Sequence, residues 1–478
     1  IKQYEEYDFE NVASAQLSKK VDVLTEDCLK HILEFAQTEP DESAAFLAQV
    51  ESYRSLPDMT STDAAAYKIR KQIAPLFYNI YFKVFMQAVE DEDAASPIIE
   101  MFLNFGFMDT KLAGEENTKA LYDLTGRLRQ FKSERVYTIF TWLKSIYFGR
   151  NEPSKNEFEL DYPAYLLEQK KNGDLNEEQV KKMQNDQKEK VRFEIQNMFN
   201  SANRITYGKI TTFCPILCEF DLINTIDKMA VTVERLEDEL NKIRKIDFSA
   251  FYREVNFTNA ANDILSHELL MSEVLPDIIL MPNAGTRAMM WQETADKRRD
   301  TRARFLFPIF TAANLEEMMI ETVGRYRWEM CRKIQGVRWN DIREKSLTSE
   351  YCDYLQFYRK NRDLSADAKD KLKTAIQRAK NNYREVFVKD YQSWINYESK
   401  GSFRLNKVAR EILIVYCPFA KDIRTALKVN PMYQLSIPKF ERDNAKKAQR
   451  LTALYEKYQK AGGEITEELQ QNLLYCQL

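Results

Sequence analysis

Glycine, proline and histidine are scarce in this chain, at 12, 13 and 2 of 478 residues. Glycine supplies positive-φ turns and proline interrupts helices and ladders. A chain poor in both has few turns for its length, and long helices with few connections are the natural solution. The two histidines, His31 and His267, leave little of the usual acid–base and metal chemistry. No G-x-G-x-x-G or G-x-x-x-x-G-K-[ST] phosphate loop occurs, and no G-x-S-x-G nucleophile elbow. The seven cysteines are odd in number and scattered, which excludes a disulfide-dense secreted scaffold and fits reduced thiols in a cytoplasmic protein. No secretory leader is visible at Ile1. Long apolar runs are missing too. The most apolar segment, Pro75 to Val89, is broken by Asn79, Lys83 and Gln87 at four-residue steps, the pattern of a core helix entered at Pro75 with one edge in solvent.

No charge of one sign dominates, since the net charge is −3. Its distribution is uneven: residues 1–60 carry 13 acidic and 5 basic side chains, and residues 285–345 carry 13 basic and 9 acidic. A nucleic-acid footprint would need a far more basic stripe.

What is present is helical periodicity. From Ser365, a plausible N-cap, Leu372, Ile376, Ala379, Tyr383, Phe387, Tyr391 and Trp394 follow at three- and four-residue steps until Gly401, which predicts one long helix. Ile226, Met229, Val233, Leu236, Leu240 and Ile243 form an a/d seam. Paired with a helix over residues 176–202, that seam would make an antiparallel arm at 176–246. Turn-rich residues 149–174 and 276–285 are candidate boundaries, and Ile278 to Met281 is the one convincing short strand. A helix over residues 440–460 and a last short helix capped by Thr466 close the chain. The expectation is therefore an all-α, multi-domain protein with long helices. Residues 1–150 would form an N-terminal helical domain, residues 175–275 a helical region with the coiled-coil arm, and residues 285–478 a C-terminal helical domain.

Chemistry is thinner. His267-Glu268 is half of an HExxH zinc pattern, but Met271 stands where the second histidine should be. Cys214 and Cys218 lack a second pair for zinc and read as buried thiols. Glu316, Glu317 and Glu321 have no accompanying Glu-x-x-His motifs for a di-metal site. Neither a metal nor a cofactor is expected. The region 283–339 stands out. Asn283-Ala-Gly285-Thr-Arg287 reads as a turn into a helix whose free N–H groups would hold an anion. Arg287, Arg298, Arg299, Arg302, Arg304 and Trp328 are the candidate anion-binding residues, because guanidinium groups beside aromatic rings stack on and hydrogen-bond phosphate or carboxylate ligands. The competing expectation is that these arginines pair with internal acids such as Glu293, Glu329, Asp341 and Glu344.

Two stretches, Trp339 to Arg362 (WNDIREKSLTSEYCDYLQFYRKNR) and Arg404 to Ala420 (RLNKVAREILIVYCPFA), resemble large bacterial proteins that carry a cyclic-nucleotide-binding domain. That domain's Gly-Glu and Arg-Ala phosphate cassette does not occur here, so no nucleotide-binding residue carries over. The resemblance implies the helical portion that accompanies such a sensor. The function expected is a non-enzymatic helical regulatory or interaction module, part of a bacterial signalling protein, with a protein partner or self-association. The alternative is a binder of a small anionic ligand (nucleotide or phosphate), or an enzyme, using residues 283–339. Neither a membrane nor nucleic acid is expected as a partner.

Overall fold

A computed structural model describes residues 28–57, 64–91, 95–106, 109–130, 133–205, 222, 224–258, 260–292, 297–298 and 300–478. Six strands interrupt its helices and overturn the all-α expectation: β1 (Val136–Thr138), β2 (Tyr252–Asn256), β3 (Leu269–Glu273), β4 (Asp277–Ala284), β5 (Met289–Gln292) and β6 (Arg304–Phe310). Four of them form a mixed sheet in the order β1-β4-β6-β5, and β2 pairs antiparallel with β3. β1 runs parallel to β4, with Val136 opposite Ile278 and Thr138 opposite Leu280. The expected strand at Ile278 to Met281 is the centre of β4, buried along its whole length. β6 (RFLFPIF) escaped notice because a strand covered on both faces is a continuous apolar run, which periodicity cannot tell from buried helix. Helix still dominates, with 63% of the described residues against 8% in strands.

The chain divides into two compact units. The first comprises Ile1–Leu236, Ile278–Gln292 and Phe305–Asn314, and the second Glu237–Asp277, Glu293–Arg304 and Leu315–Leu478.

In the first unit, α1 (Ala64–Glu90) is the central core helix. It begins before Pro75 rather than at it, and Phe77, Ile80, Tyr81, Val84 and Phe85 are buried from end to end. α2 (Ile139–Tyr147) and α3 (Gln187–Ala202) pack together, and α3 also packs on α1. The sheet adds Ile279, Met281, Trp291 and Leu306 to the same core. A buried carboxylate ties the loop after α2 to α3: Glu194 accepts hydrogen bonds from the Trp142 indole (2.8 Å), the Ser154 N–H (2.7 Å) and the Ser154 hydroxyl (2.8 Å). Gly285 is required where β4 ends, because a Cβ there would collide with the Ile205 carbonyl oxygen.

The expected arm is not formed. The seam of Ile226 to Ile243 is broken after helix Ile226–Met229, where Ala230 bridges antiparallel to Phe310, and helix restarts only at Val233. Its supposed partner is two helices, Glu177–Gln184 and α3, and α3 spends its apolar face on α1 and α2.

In the second unit, α4 (Leu315–Gln335) is the central helix. Next come α5 (Leu347–Phe357), α6 (Ala366–Arg378), α7 (Tyr383–Asn396), α8 (Lys407–Tyr416), α9 (Ser436–Lys460) and α10 (Glu467–Tyr475). α4 packs along α7, with Gly324 letting the two backbones approach near Val388 and Tyr391. The expected single helix from Ser365 is two, α6 and α7, separated where Lys380 (φ 51°) and Asn381 (φ 61°) turn left-handed. Neither is glycine, so composition gave no warning of the break. The caps read from sequence are present: Ser365 accepts from the Ala368 N–H, Thr466 accepts from the Leu469 N–H, and Gly401 is left-handed at φ 79°. The β2–β3 ribbon packs on α9 and α10 through Val255, Leu270 and Val274 against Leu451, Tyr455 and Leu469. The Asn472 side chain accepts from the Met271 N–H at 2.9 Å and so fixes α10 to β3.

Candidate functional site

The candidate residues read from the sequence are dispersed. Arg287 is exposed in the first unit, on the turn between β4 and β5. No helix follows Gly285: the chain returns as β5, so the expected helix N-terminus does not exist there. Arg298 and Arg302 are exposed in the second unit, Arg304 is half-buried at the start of β6, and Arg299 lies outside the described residues. Arg302 pairs with the buried Asp277 at 3.5 Å. Trp328 is 3% exposed, enclosed by Trp339, Tyr351 and Phe387, so its faces serve the core. Other arginines of the region meet acids: Arg332 meets Glu329 (2.6 Å), Arg338 meets Glu344 (3.1 Å) and Arg343 meets Asp341 (2.6 Å). Glu293, like Cys214 and Cys218, lies outside the described residues. His267 is exposed in a turn, and Glu268 instead faces Arg450 at 3.7 Å. Among the described residues, no group of three or more His, Cys, Asp and Glu is placed to hold a metal ion.

The second unit contains a different site. A cavity of about 500 Å³ opens between the C-terminal half of α4, the start of β2, the loop before α5, the end of α8, and one face each of α9 and α10. Its volume is in the range of small-molecule sites. Five cationic side chains line it (Arg253, Arg327, Lys345, Lys447 and Arg450) against two acids, Glu254 and Glu344.

The buried cations are committed to the fold. Arg253 donates to the carbonyls of Arg298 and Thr301. Arg327 donates to the Ser249 carbonyl at 2.6 Å and to the Tyr416 carbonyl, and lies 3.8 Å from Asp247. Burial alone would strip protons from Arg327, but Asp247 and its other partners hold it firmly charged.

The rim cations are different. Lys345 and Lys447 are exposed, and neither ammonium has an ion-pair partner among the described residues. Among the described residues, the one ion-pair contact of Arg450 is its long one to Glu268, at 3.7 Å. The two lining acids already have cations near, Glu344 with Arg338 at 3.1 Å and Glu254 with Lys297 at 3.9 Å. The field inside the cavity is therefore positive. The backbone at Lys345 is left-handed, φ 48° and ψ 55°, and its carbonyl accepts the Tyr416 hydroxyl at 2.6 Å.

The remaining wall is aromatic and sulfur-bearing. Tyr252 and Tyr475 lie ring to ring at 4.8 Å, tilted by 39°. Met271, Met330, Cys331 and Cys476 join them. Burial pushes the Cys476 thiol up against the opposing pull of Lys447 and Arg450, so it stays protonated near neutrality. The arrangement can bind and orient an anion with an apolar body.

A family model described as a domain of unknown function (DUF8509) matches residues 336–475. No curated protein and no solved structure matches the chain. The matched segment supplies Glu344, Lys345, Tyr416, Lys447, Arg450 and Tyr475 to the cavity, while Arg253, Met271, Arg327 and Cys476 lie outside it.

Sequence reasoning missed this site for a physical reason. Lys447 and Arg450 are indistinguishable in sequence from the solvated face of a long helix, and Lys345 from a loop lysine. The signal available was the step from Asn444 to Lys447 to Arg450, three residues each, which puts all three on one face of α9.

Proposed function

We propose that this chain is a regulatory or interaction module, not a catalyst, whose second unit binds a small anionic ligand. The observation that carries this reading is the pair of unneutralised ammonium groups, Lys345 and Lys447, at the rim of a cavity whose acids already have cations beside them. The anion binder that the sequence offered as the alternative is kept as a class and moved from residues 283–339 to this cavity. Its place as the helical part of a bacterial signalling protein is part of the same proposal. The match to a domain of unknown function overlaps both stretches that carry that resemblance.

The test is a thermal-shift series with phosphate, citrate, nucleotides and aromatic carboxylates on the intact chain and on Lys447→Glu. A ligand at a hundred times its Kd contributes about 2.7 kcal/mol, a clear rise in Tm. A rise with the native chain that disappears in the variant is expected. No rise with any of these anions would sink the proposal.

Protein contact is a second reading, favoured by one observation. The connection into α9 exposes Val429 (85%), Met432 (55%) and Leu435 (79%) within seven residues. Grouped apolar side chains in water mark contact surfaces. Light scattering over a concentration series should report self-association that Val429→Ser with Leu435→Ser abolishes. A monomer at all concentrations would leave this patch without a role in self-association.

A further inference from the structure

We infer that the ligand of this cavity is a phosphomonoester carrying a planar, hydrogen-bonding aromatic ring, bound with its phosphate at Lys345, Lys447 and Arg450 and its ring toward Gln335 and Asn444. The inference rests on the anion-binding reading and adds the ligand's class.

Charge sets the head group. With Arg253 and Arg327 spent on backbone carbonyls, and Glu344 and Glu254 each beside a cation, the uncommitted charge is that of two ammoniums and one guanidinium. A single carboxylate would leave most of it unmatched. A phosphomonoester carries close to two negative charges near neutrality and has three acceptor oxygens for these donors.

Polar groups away from the head set the body. Gln335 at the end of α4 and Asn444 on α9 both line the cavity, half-buried, and their side-chain amides have no hydrogen-bond partner among the described residues. An amide offers both donors and an acceptor, which suits the edge of a heteroaromatic ring and gains nothing from an alkyl chain. The tyrosine and methionine wall supplies flat and polarisable contact for the ring's face. Along α9 the order is Asn444, then Lys447 about 4.5 Å on and Arg450 about 9 Å on, at the helical rise of about 1.5 Å per residue, so the amide stands at one end of this stretch and the cations follow toward the other.

Lys345 offers a clean probe. It closes the short 3-10 helix Ile342–Glu344 in the left-handed conformation, as Lys380 and Asn381 do between α6 and α7, so glycine suits its backbone and removes only the side chain with its ammonium.

The experiment is calorimetric titration of the intact chain with AMP, GMP and CMP, and with ribose 5-phosphate, adenosine, inorganic phosphate and octyl phosphate. At least one nucleotide should bind about tenfold or more tighter than ribose 5-phosphate, the usual scale of ring stacking. The same nucleotide should bind Lys345→Gly about tenfold more weakly, as loss of a charge-assisted contact requires. Thermal denaturation should show that variant folded, with Tm unchanged or raised. Equal affinity for nucleotides, ribose 5-phosphate and inorganic phosphate would overturn the ring assignment and leave anion binding standing. Tighter binding of octyl phosphate than of every nucleotide would overturn it as well. No binding of any phosphate or nucleotide would remove the anion reading itself.

Discussion

Lys345 is held at φ 48°, where its N–H donates to the Ile342 carbonyl at 3.2 Å and its own carbonyl accepts from the Tyr416 hydroxyl. A left-handed L-residue costs about 1–2 kcal/mol, and glycine's greater freedom in the unfolded chain costs about 0.5–1 kcal/mol. Lys345→Gly is therefore expected to be neutral or up to about 1.5 kcal/mol more stable in urea denaturation. A loss of stability would mean the lysine side chain itself stabilises the fold.

Asp390 makes a second residue-scale statement. Burial pushes its carboxyl from 3.8 up to about 7, against the opposing hydrogen bond from the Tyr351 hydroxyl. The folded form therefore holds this proton more tightly than the unfolded one. The stability it contributes is full below the unfolded value near 3.8 and is lost as pH rises through about 7. Asp390→Asn still accepts from Tyr351 and carries no charge. Its Tm should fall less than that of the native chain from about pH 5 to pH 8, the interval spanning the folded value. Parallel Tm–pH curves would show that Asp390 does not titrate there.

At the scale of elements, the legible features were those fixed by local chemistry. Ser365 and Thr466 cap because a hydroxyl before a helix has N–H groups to satisfy. Ile278 to Met281 showed as strand because turn residues bound it on both sides. The α6–α7 break did not show, because Lys380 and Asn381 adopt a conformation that their side chains do not advertise. β6 was hidden by its own burial. The cavity was hidden because its walls come from residues 249 to 476, and no local pattern encodes their meeting. Gly285 offers an element-scale test. Gly285→Ala forces a methyl group onto the Ile205 carbonyl beside the central sheet, and a loss of about 2–4 kcal/mol is expected, in the range of strain at a close backbone approach. A change below about 0.5 kcal/mol, the ordinary range for surface substitutions, would mean the β4 end and Ile205 separate easily.

For the whole molecule, composition foretold the helical majority and missed the sheet, since 8% strand needs few of the residues that were counted. Composition also cannot show that each unit is assembled from three separate stretches of chain. No helix among the described residues is long and apolar enough to cross a membrane. A fragment of residues 315–478 keeps α4 to α10 and loses the β2–β3 ribbon, baring Leu451, Tyr455 and Leu469. That fragment should aggregate or show broad, non-cooperative melting by circular dichroism. Sharp, reversible melting would show the ribbon to be dispensable.

The alternation of segments has a consequence for inheritance. A module encoded in one stretch can be copied, lost or fused to a new neighbour by a single recombination event. Here the chain passes between the units five times, so a crossover almost anywhere after residue 236 divides at least one of them. Residues 336–475 can recur as a recognisable stretch, but the cavity cannot travel with that stretch alone, because Arg253, Met271 and Arg327 stay behind. Moving the cavity to another chain would take residues 249–476 as one block.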